Sequence, residues 1–337
     1  MTGSFLIHAL LGLLPVCCFL AALVYLDSYK LVPMRWILAA IGMGCLAVVV
    51  SYPINVGVGG LLGIDFVSLT RYFAPVVEEM LKALIIVALI RSNRIGFLVD
   101  AAIFGFAVGT GFAIFENLFY LQYSPNMLLG TWIVRGFGTA IMHGGATAVF
   151  AIVAHTLLGQ HPGKGWVVLL PGFVVAVIVH SLFNHFFFPP VINTLVVLAS
   201  LPVLLAVVFQ FSEKSVSDWL GMGFDADTEL LELINSGEFS ASKVGLYLNS
   251  LKEKFEGPVV VDLLCYLRLH TELSIRAKGL LMMREQGFMD KPGEETRAKL
   301  EELKFLESSI GTTRLLARKP FMQMSQKDLW QVYVLSS

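Results

Sequence analysis

Charge is scarce in this chain. Asp, Glu, Lys and Arg make up 15% of its 337 residues, while 56% are hydrophobic and the mean hydropathy is +0.74. That scarcity excludes an ordinary soluble globule for most of the length and places the chain in the membrane class. The formal net charge is −1, which leaves no basic excess for a nucleic-acid partner. Cysteine is scarce too: Cys17, Cys18, Cys45 and Cys265 form no CxxC pair. They exclude a disulfide framework and a zinc knuckle and read as small hydrophobes. Neither HExxH nor GxxxxGK[ST] occurs, which removes two familiar metal and nucleotide signatures. The N-terminus has no basic n-region or evident cleavage site, so its apolar run reads as a retained first span.

The charge that is present is unevenly placed. Only six of the 25 acids and eight of the 24 bases lie in residues 1–212. The chain therefore reads as a membrane part, 1–212, followed by a polar part, 213–337. A crossing helix needs roughly 20 apolar residues. Seven segments qualify, near 4–26, 34–52, 72–90, 97–122, 130–158, 166–188 and 190–211. Gly59-Gly60, Ser124-Pro125-Asn126 and Phe188-Pro189-Pro190 read as turns. With seven spans, Lys30, Arg35, Arg91, Arg94, Lys164 and Lys214 all fall on one side. The positive-inside rule makes that side cytoplasmic. The expectation is a multi-pass cell-membrane protein with its N-terminus outside and its C-terminal part in the cytoplasm.

Inside the apolar segments sit a few ionisable residues. The third span reads Pro75-Val-Val-Glu78-Glu79-Met-Leu-Lys82, the fourth carries Glu116-Asn117, the fifth His143, and the sixth His180 and Asn184. Each charge at membrane depth costs about 2.5–3.5 kcal/mol on insertion scales, so such residues are functional candidates by default. On the span map all lie in the outer-to-middle layer. Glu78 and Lys82 share a helical face and are expected to pair, with Glu79 to the side. Thr139, His143 and Thr147 form a polar stripe flanked by Gly136, Gly144 and Gly145, and small residues let helices approach. A buried carboxylate can act as general base on a water, and two neighbouring carboxylates can divide the roles of base and proton holder. His and Asn donors can stabilise an oxyanion. Together these make a peptide hydrolase with no Ser or Cys nucleophile. The same residue types also suit zinc.

These motifs resemble those of the PrsW intramembrane proteases, relatives of the CAAX prenyl endopeptidase superfamily. The resemblance rests on Glu78-Glu79-x-x-Lys82, Phe112-x-x-x-Glu116-Asn117, His143 and His180-x-x-x-Asn184, and covers roughly residues 70–190. It implies site-specific cleavage of membrane-protein substrates such as anti-sigma factors, within the lipid bilayer. It implies a water activated by Glu78, with His180 and Asn184 as oxyanion donors. Glu116 stands where the prenyl-protease branch has a histidine, so the partner of Glu78 is Glu116, His143 or a metal. The preferred mechanism requires no cofactor. Zinc is the alternative, with Glu79, Glu116, His143 and His180 as its ligands.

Other polar residues have blander readings. Lys82 suits a counter-ion better than an acid, and Asn117 suits an orienter of Glu116. Arg135 and Arg71 are expected to snorkel to the interface. Asp100 reads as a solvated helix start, and Gly105, Gly109 and Gly111 as a close-packing face. Residues 213–337 read as a small soluble helical bundle. Its helices are expected from Asp225 toward Asn235 and over 240–254, 258–285 and 294–316, with a break at Pro292-Gly293. The fold class is thus all-α, a polytopic bundle of about seven spans with a C-terminal helical domain. Two rivals use the same residues: a proton-coupled transporter or channel, and a non-catalytic membrane scaffold. Neither the substrate nor the oligomeric state is legible in the sequence.

Overall fold

The computed structural model describes residues 2–124, 126–161, 165–236, 238, 242–253, 255–288 and 293–311. All regular structure among them is helical. The chain divides into two compact units, Met1–Glu213 and Lys214–Ser337.

Among the described residues, the first unit is a membrane bundle of seven α-helices. They are α1 (Thr2–Leu26), α2 (Met34–Leu62), α3 (66–91), α4 (Leu98–Tyr123), α5 (129–160), α6 (Leu170–His185) and α7 (Pro190–Ser236). Six are long and apolar enough to cross a membrane, judged by length and composition. The seventh, α3, is the one that carries Glu78, Glu79 and Lys82. Two helices are interrupted by π-turns. In α3, Leu69–Phe73 separates Phe66–Ser68 from Ala74–Arg91, and in α5, Val134–Thr139 separates Leu129–Ile133 from Ala140–Gln160. Asp65 caps α3, its side chain accepting the Val67 and Ser68 amides at 3.0 Å.

Helix α4 is the centre of this unit, buried over almost its whole first half and packed on α1, α2 and α5. Glycines make that approach possible. A Cβ on Gly109 would fall on the His143 carbonyl, and one on Gly111 on the Ile41 carbonyl. The close contact at Gly109 brings α5 near enough for His143 to reach α4 side chains.

Several boundaries differ from the sequence expectation. Gly59 and Gly60 continue α2. The turn falls at Gly63, which takes the left-handed conformation (φ 64°) while Ile64 N–H bonds to Gly59 O at 2.9 Å. Only glycine takes that position without strain. No new helix opens at Asp225, because α7 runs through Pro202 and on unbroken to Ser236, meeting no further proline. Asp100 does start a helix, but it is fully buried, and its Oδ2 accepts the Gly96 and Phe97 amides. Those two bonds replace the expected water. Lys164, Pro125 and Pro292 lie outside the described residues.

The second unit contains α8 (Lys243–Ser250), α9 (Gly257–Glu285) and α10 (Glu294–Ile310) besides the end of α7. Leu263, Tyr266, Leu267, Leu273, Leu280, Leu300, Leu303 and Ile310 form its core. Gly311 ends α10 with φ 79°, so the expected helix over 294–316 stops there, and residues 312–316 lie outside the described chain.

Candidate active site

Four helices of the membrane unit deliver their polar residues to one cluster. α3 supplies Glu78, Glu79 and Lys82, α4 supplies Glu116, α5 His143 and α6 His180. Glu79, Lys82, His143 and His180 are all buried. Glu78 and Glu116 keep 15% and 26% side-chain exposure, so the cluster opens on their side.

The ion pairing departs from the simple helical expectation. Lys82 Nζ bonds to Glu79 Oε1 at 2.6 Å, the i,i+3 partner, and not to Glu78. Both spacings are within reach on one helix. Neighbouring helices decide between them. His180 Nδ1 meets the same Glu79 oxygen at 2.8 Å, and Lys82 Nζ is also 3.2 Å from His143 Nδ1 and 4.4 Å above the Phe112 ring. Lys82 therefore ties α3 to α4 and α5 from the middle of the cluster. Glu78 is turned elsewhere: Asn55 Nδ2 donates to its Oε1 at 3.3 Å, and its Oε2 lies 3.8 Å from His180 Nε2.

Glu116 faces His143 Nε2 at 3.4 Å and Arg135 Nη2 at 3.2 Å. Arg135 does not snorkel away. Its side chain is 12% exposed, its Nε donates to Asn117 Oδ1 at 2.8 Å, and its guanidinium lies 3.7 Å above the Tyr120 ring. The physical reason is pairing: a guanidinium between a carboxylate, an amide and an aromatic face has its solvation replaced. Asn117 in turn donates to Gly12 O of α1 at 2.7 Å. It thus orients Arg135 and anchors α1, one helix away from the histidines.

Asn184 is placed differently from the other motif residues. Its Nδ2 donates to the backbone oxygen of Thr70 at 3.0 Å. Next to it, Ser181 Oγ donates to Arg71 O at 2.6 Å.

One ligand atom each from Glu78, His143 and His180 lies within 4.8 Å of the others, and this is the group among the described residues that could hold a metal ion. Two histidines and a glutamate are a donor set of catalytic zinc sites. The surroundings of His180 fit that use. A carboxylate paired with lysine accepts, so His180 Nδ1 carries the proton and Nε2 presents its lone pair toward Glu78. Glu79 stands behind His180 as the orienting carboxylate, and Glu116 stands on His143. The convergent set thus contains Glu78 where the sequence reading of a zinc site has Glu79 and Glu116. The His143 and His180 rings meet edge to face, centroids 4.7 Å apart.

Sequence reasoning does not single out Asn55, Ser181 or the site role of Arg135. Asn55 lies three residues beyond the span assigned to α2, and the position of Arg135 near a span end points to the interface.

A family model described as PrsW family intramembrane metalloprotease matches residues 32–211, just over half of the chain. No curated protein and no solved structure matches it.

Proposed function

The chain belongs to the PrsW family of intramembrane metalloproteases, and from that membership we propose that Glu78, His143 and His180, with Glu116 beside them, carry the hydrolysis of a substrate peptide bond. It is a multi-pass membrane protease, so its substrates are membrane proteins. A single-span protein of the anti-sigma-factor kind is the proposed class.

The observation that carries the reading is the convergence of Glu78, His143 and His180 within 4.8 Å from three helices. These three would hold a zinc ion, which when bound supplies Lewis-acid polarisation of the scissile carbonyl and acidification of a water. The chain's own residues do the rest. Glu79 and Lys82 lock His180 so that Nε2 points into the cluster. Asn55 fixes the Glu78 carboxylate. Glu116 is the most exposed of the three carboxylates, and it is placed to take a proton from the attacking water and return it to the leaving amine nitrogen. Water oxygen bonds to the carbonyl carbon, the C–N bond breaks, and the proton travels from water to amine.

A second reading has one observation of its own. Both nitrogens of His143 are engaged, Nδ1 by Lys82 and Nε2 by Glu116. With Lys82 donating to Nδ1, Nε2 carries the proton and points it at Glu116, a tautomer with no lone pair left for a metal. Glu78, which has no lysine or arginine on it among the described residues, then acts as base without a metal.

The proposed orientation keeps Lys30, Arg35, Arg91, Arg94 and Lys214 on the cytoplasmic side. It puts the cluster in the outer half of the bilayer and the helical unit 214–337 in the cytoplasm.

The test uses purified protein in liposomes with a panel of single-span membrane proteins. Wild type and Glu78→Gln are compared with and without a strong chelator. Cleavage lost in Glu78→Gln, lost with chelator and restored by zinc is the expected pattern. Cleavage indifferent to chelator but lost in Glu78→Gln selects the metal-free reading. Equal cleavage by both proteins overturns both.

A further inference from the structure

Helix α6 holds α3 by the backbone at a place where α3 cannot bond to itself. The Ala74 amide bonds five residues back, to Leu69 O, and so misses Thr70. The next residue, Pro75, has no N–H to give. Thr70 O therefore loses both the amide four residues on and the amide five residues on, and Arg71 O loses the amide four residues on. Carbonyls left open inside an apolar bundle are expensive. Ser181 Oγ and Asn184 Nδ2 donate to these two oxygens, at 2.6 Å and 3.0 Å. His185 adds an edge contact to the Tyr72 ring, centroids 4.9 Å apart.

We infer that Ser181 and Asn184 are positioning residues, a clip that fixes the roll of α3 and so aims Glu78 and Glu79. A π-turn adds one residue to a helical turn and rotates the downstream part of the helix by about 100°. Pro75 pins that extra residue to one place, and the clip satisfies the carbonyls it opens. Beyond the turn, the same roll sends Glu79 to Lys82 and His180 and Glu78 to Asn55. Asn184 thus acts through the backbone of Thr70, one step removed from any substrate. The inference rests on the proposed role of Glu78 for its activity readout only.

The experiment is a mutant cycle on the full chain in nanodiscs. Ser181→Ala and Asn184→Ala are made alone and in a Pro75→Ala background, where residue 75 regains an N–H for the helix. Three quantities are read: kcat and KM for a cleaved single-span substrate, and hydrogen exchange of peptides covering 69–76. With Pro75 present, losing a clip bond is expected to lower kcat on the order of tenfold, as a part-buried hydrogen bond worth about 1 kcal/mol warrants. KM should hold, and exchange at 69–76 should rise. In the Pro75→Ala background both effects should shrink to about twofold or less. Equal losses in the two backgrounds, with exchange at 69–76 unchanged, would overturn the clip and return Asn184 to the substrate. Exchange reads the clip even in a protein that cleaves nothing, so failure of the protease mechanism and failure of the clip are separable. Should Pro75→Ala not fold, Ser181→Thr against Ser181→Val decides: threonine keeps the donor and must keep protection, and valine must lose it. Equal protection in both would overturn the clip.

Discussion

Replacing Lys82 with methionine removes the cation around which the buried cluster is arranged. Lys82 is 0% exposed and Glu79 2%, with 2.6 Å between the charged atoms. Methionine fills most of the same volume, so little cavity term is added. Glu79 is left without its lysine, facing only His180. Breaking one side of a buried ion pair costs about 3–5 kcal/mol, because the surviving charge stays buried. Lys82→Met should therefore destabilise by about 3–5 kcal/mol in equilibrium unfolding in mixed micelles. Glu79→Gln alone should cost a similar amount, since it strands Lys82. The double variant, Lys82→Met with Glu79→Gln, leaves no stranded charge and should cost at least ~2 kcal/mol less than the sum of the singles. It should not recover cleavage, because His180 has lost the carboxylate that orients it. Additivity of the two singles within about 0.5 kcal/mol would refute the reasoning, since residues outside one network add to that accuracy.

The same geometry sets four further outcomes. Glu116→Gln should reduce kcat by about 10²–10⁴, the range for a lost general acid–base group, with KM little changed in steady-state cleavage assays. Arg135→Gln should lower both stability and activity, and Arg135→Lys should recover only part of either, because lysine cannot reach Glu116, Asn117 and the Tyr120 face together; thermal unfolding with parallel cleavage rates checks this. Gly109→Ala puts a methyl on the His143 carbonyl and should cost about 1–3 kcal/mol in the same unfolding assay, as other overpacked contacts do. In the second unit, the Glu295 carboxyl is held below its usual range by its hydrogen bonds to Lys299 and Arg276. A lowered folded value means that its contribution is present above the ordinary glutamate range and is lost as pH falls through the folded value, so amide protection in 294–310, taken relative to the intrinsic exchange rate at each pH, should fall on acidification and stay constant around neutrality.

The parts of this architecture that are legible in the sequence are those with a local signal. Apolar length marks the helices, and a polar residue inside an apolar run marks Glu78, His143 and His180, whichever helix it faces. Proline in Phe188-Pro189-Pro190 marks a turn without reference to anything distant. The rest depends on neighbours. Lys82 has two glutamates within helical reach, and partners on other helices, His180, His143 and Phe112 with Asn55 on Glu78, decide which one it takes. Arg135 near a span end reads as a snorkelling residue until Glu116, Asn117 and Tyr120 of another helix are seen around it. Asp100 reads as a solvated cap because its burial is a matter of tertiary packing, which its own segment does not display. The π-turn before Pro75, and the use of Ser181 and Asn184 to repair it, are properties of a pair of helices. Asp225 resembles a helix start because acids favour first turns, and they are also tolerated in a helix that simply continues.

The most direct test of the central claim, that Glu78, His143 and His180 carry peptide hydrolysis, is isotope incorporation. Wild type, Glu78→Gln, His143→Asn and His180→Asn are each given one substrate in water enriched in ¹⁸O, and the new C-terminus is read by mass spectrometry. The account predicts ¹⁸O in the new carboxylate with the wild type and no product from the three variants. Product of the same mass and amount from any of them would contradict it.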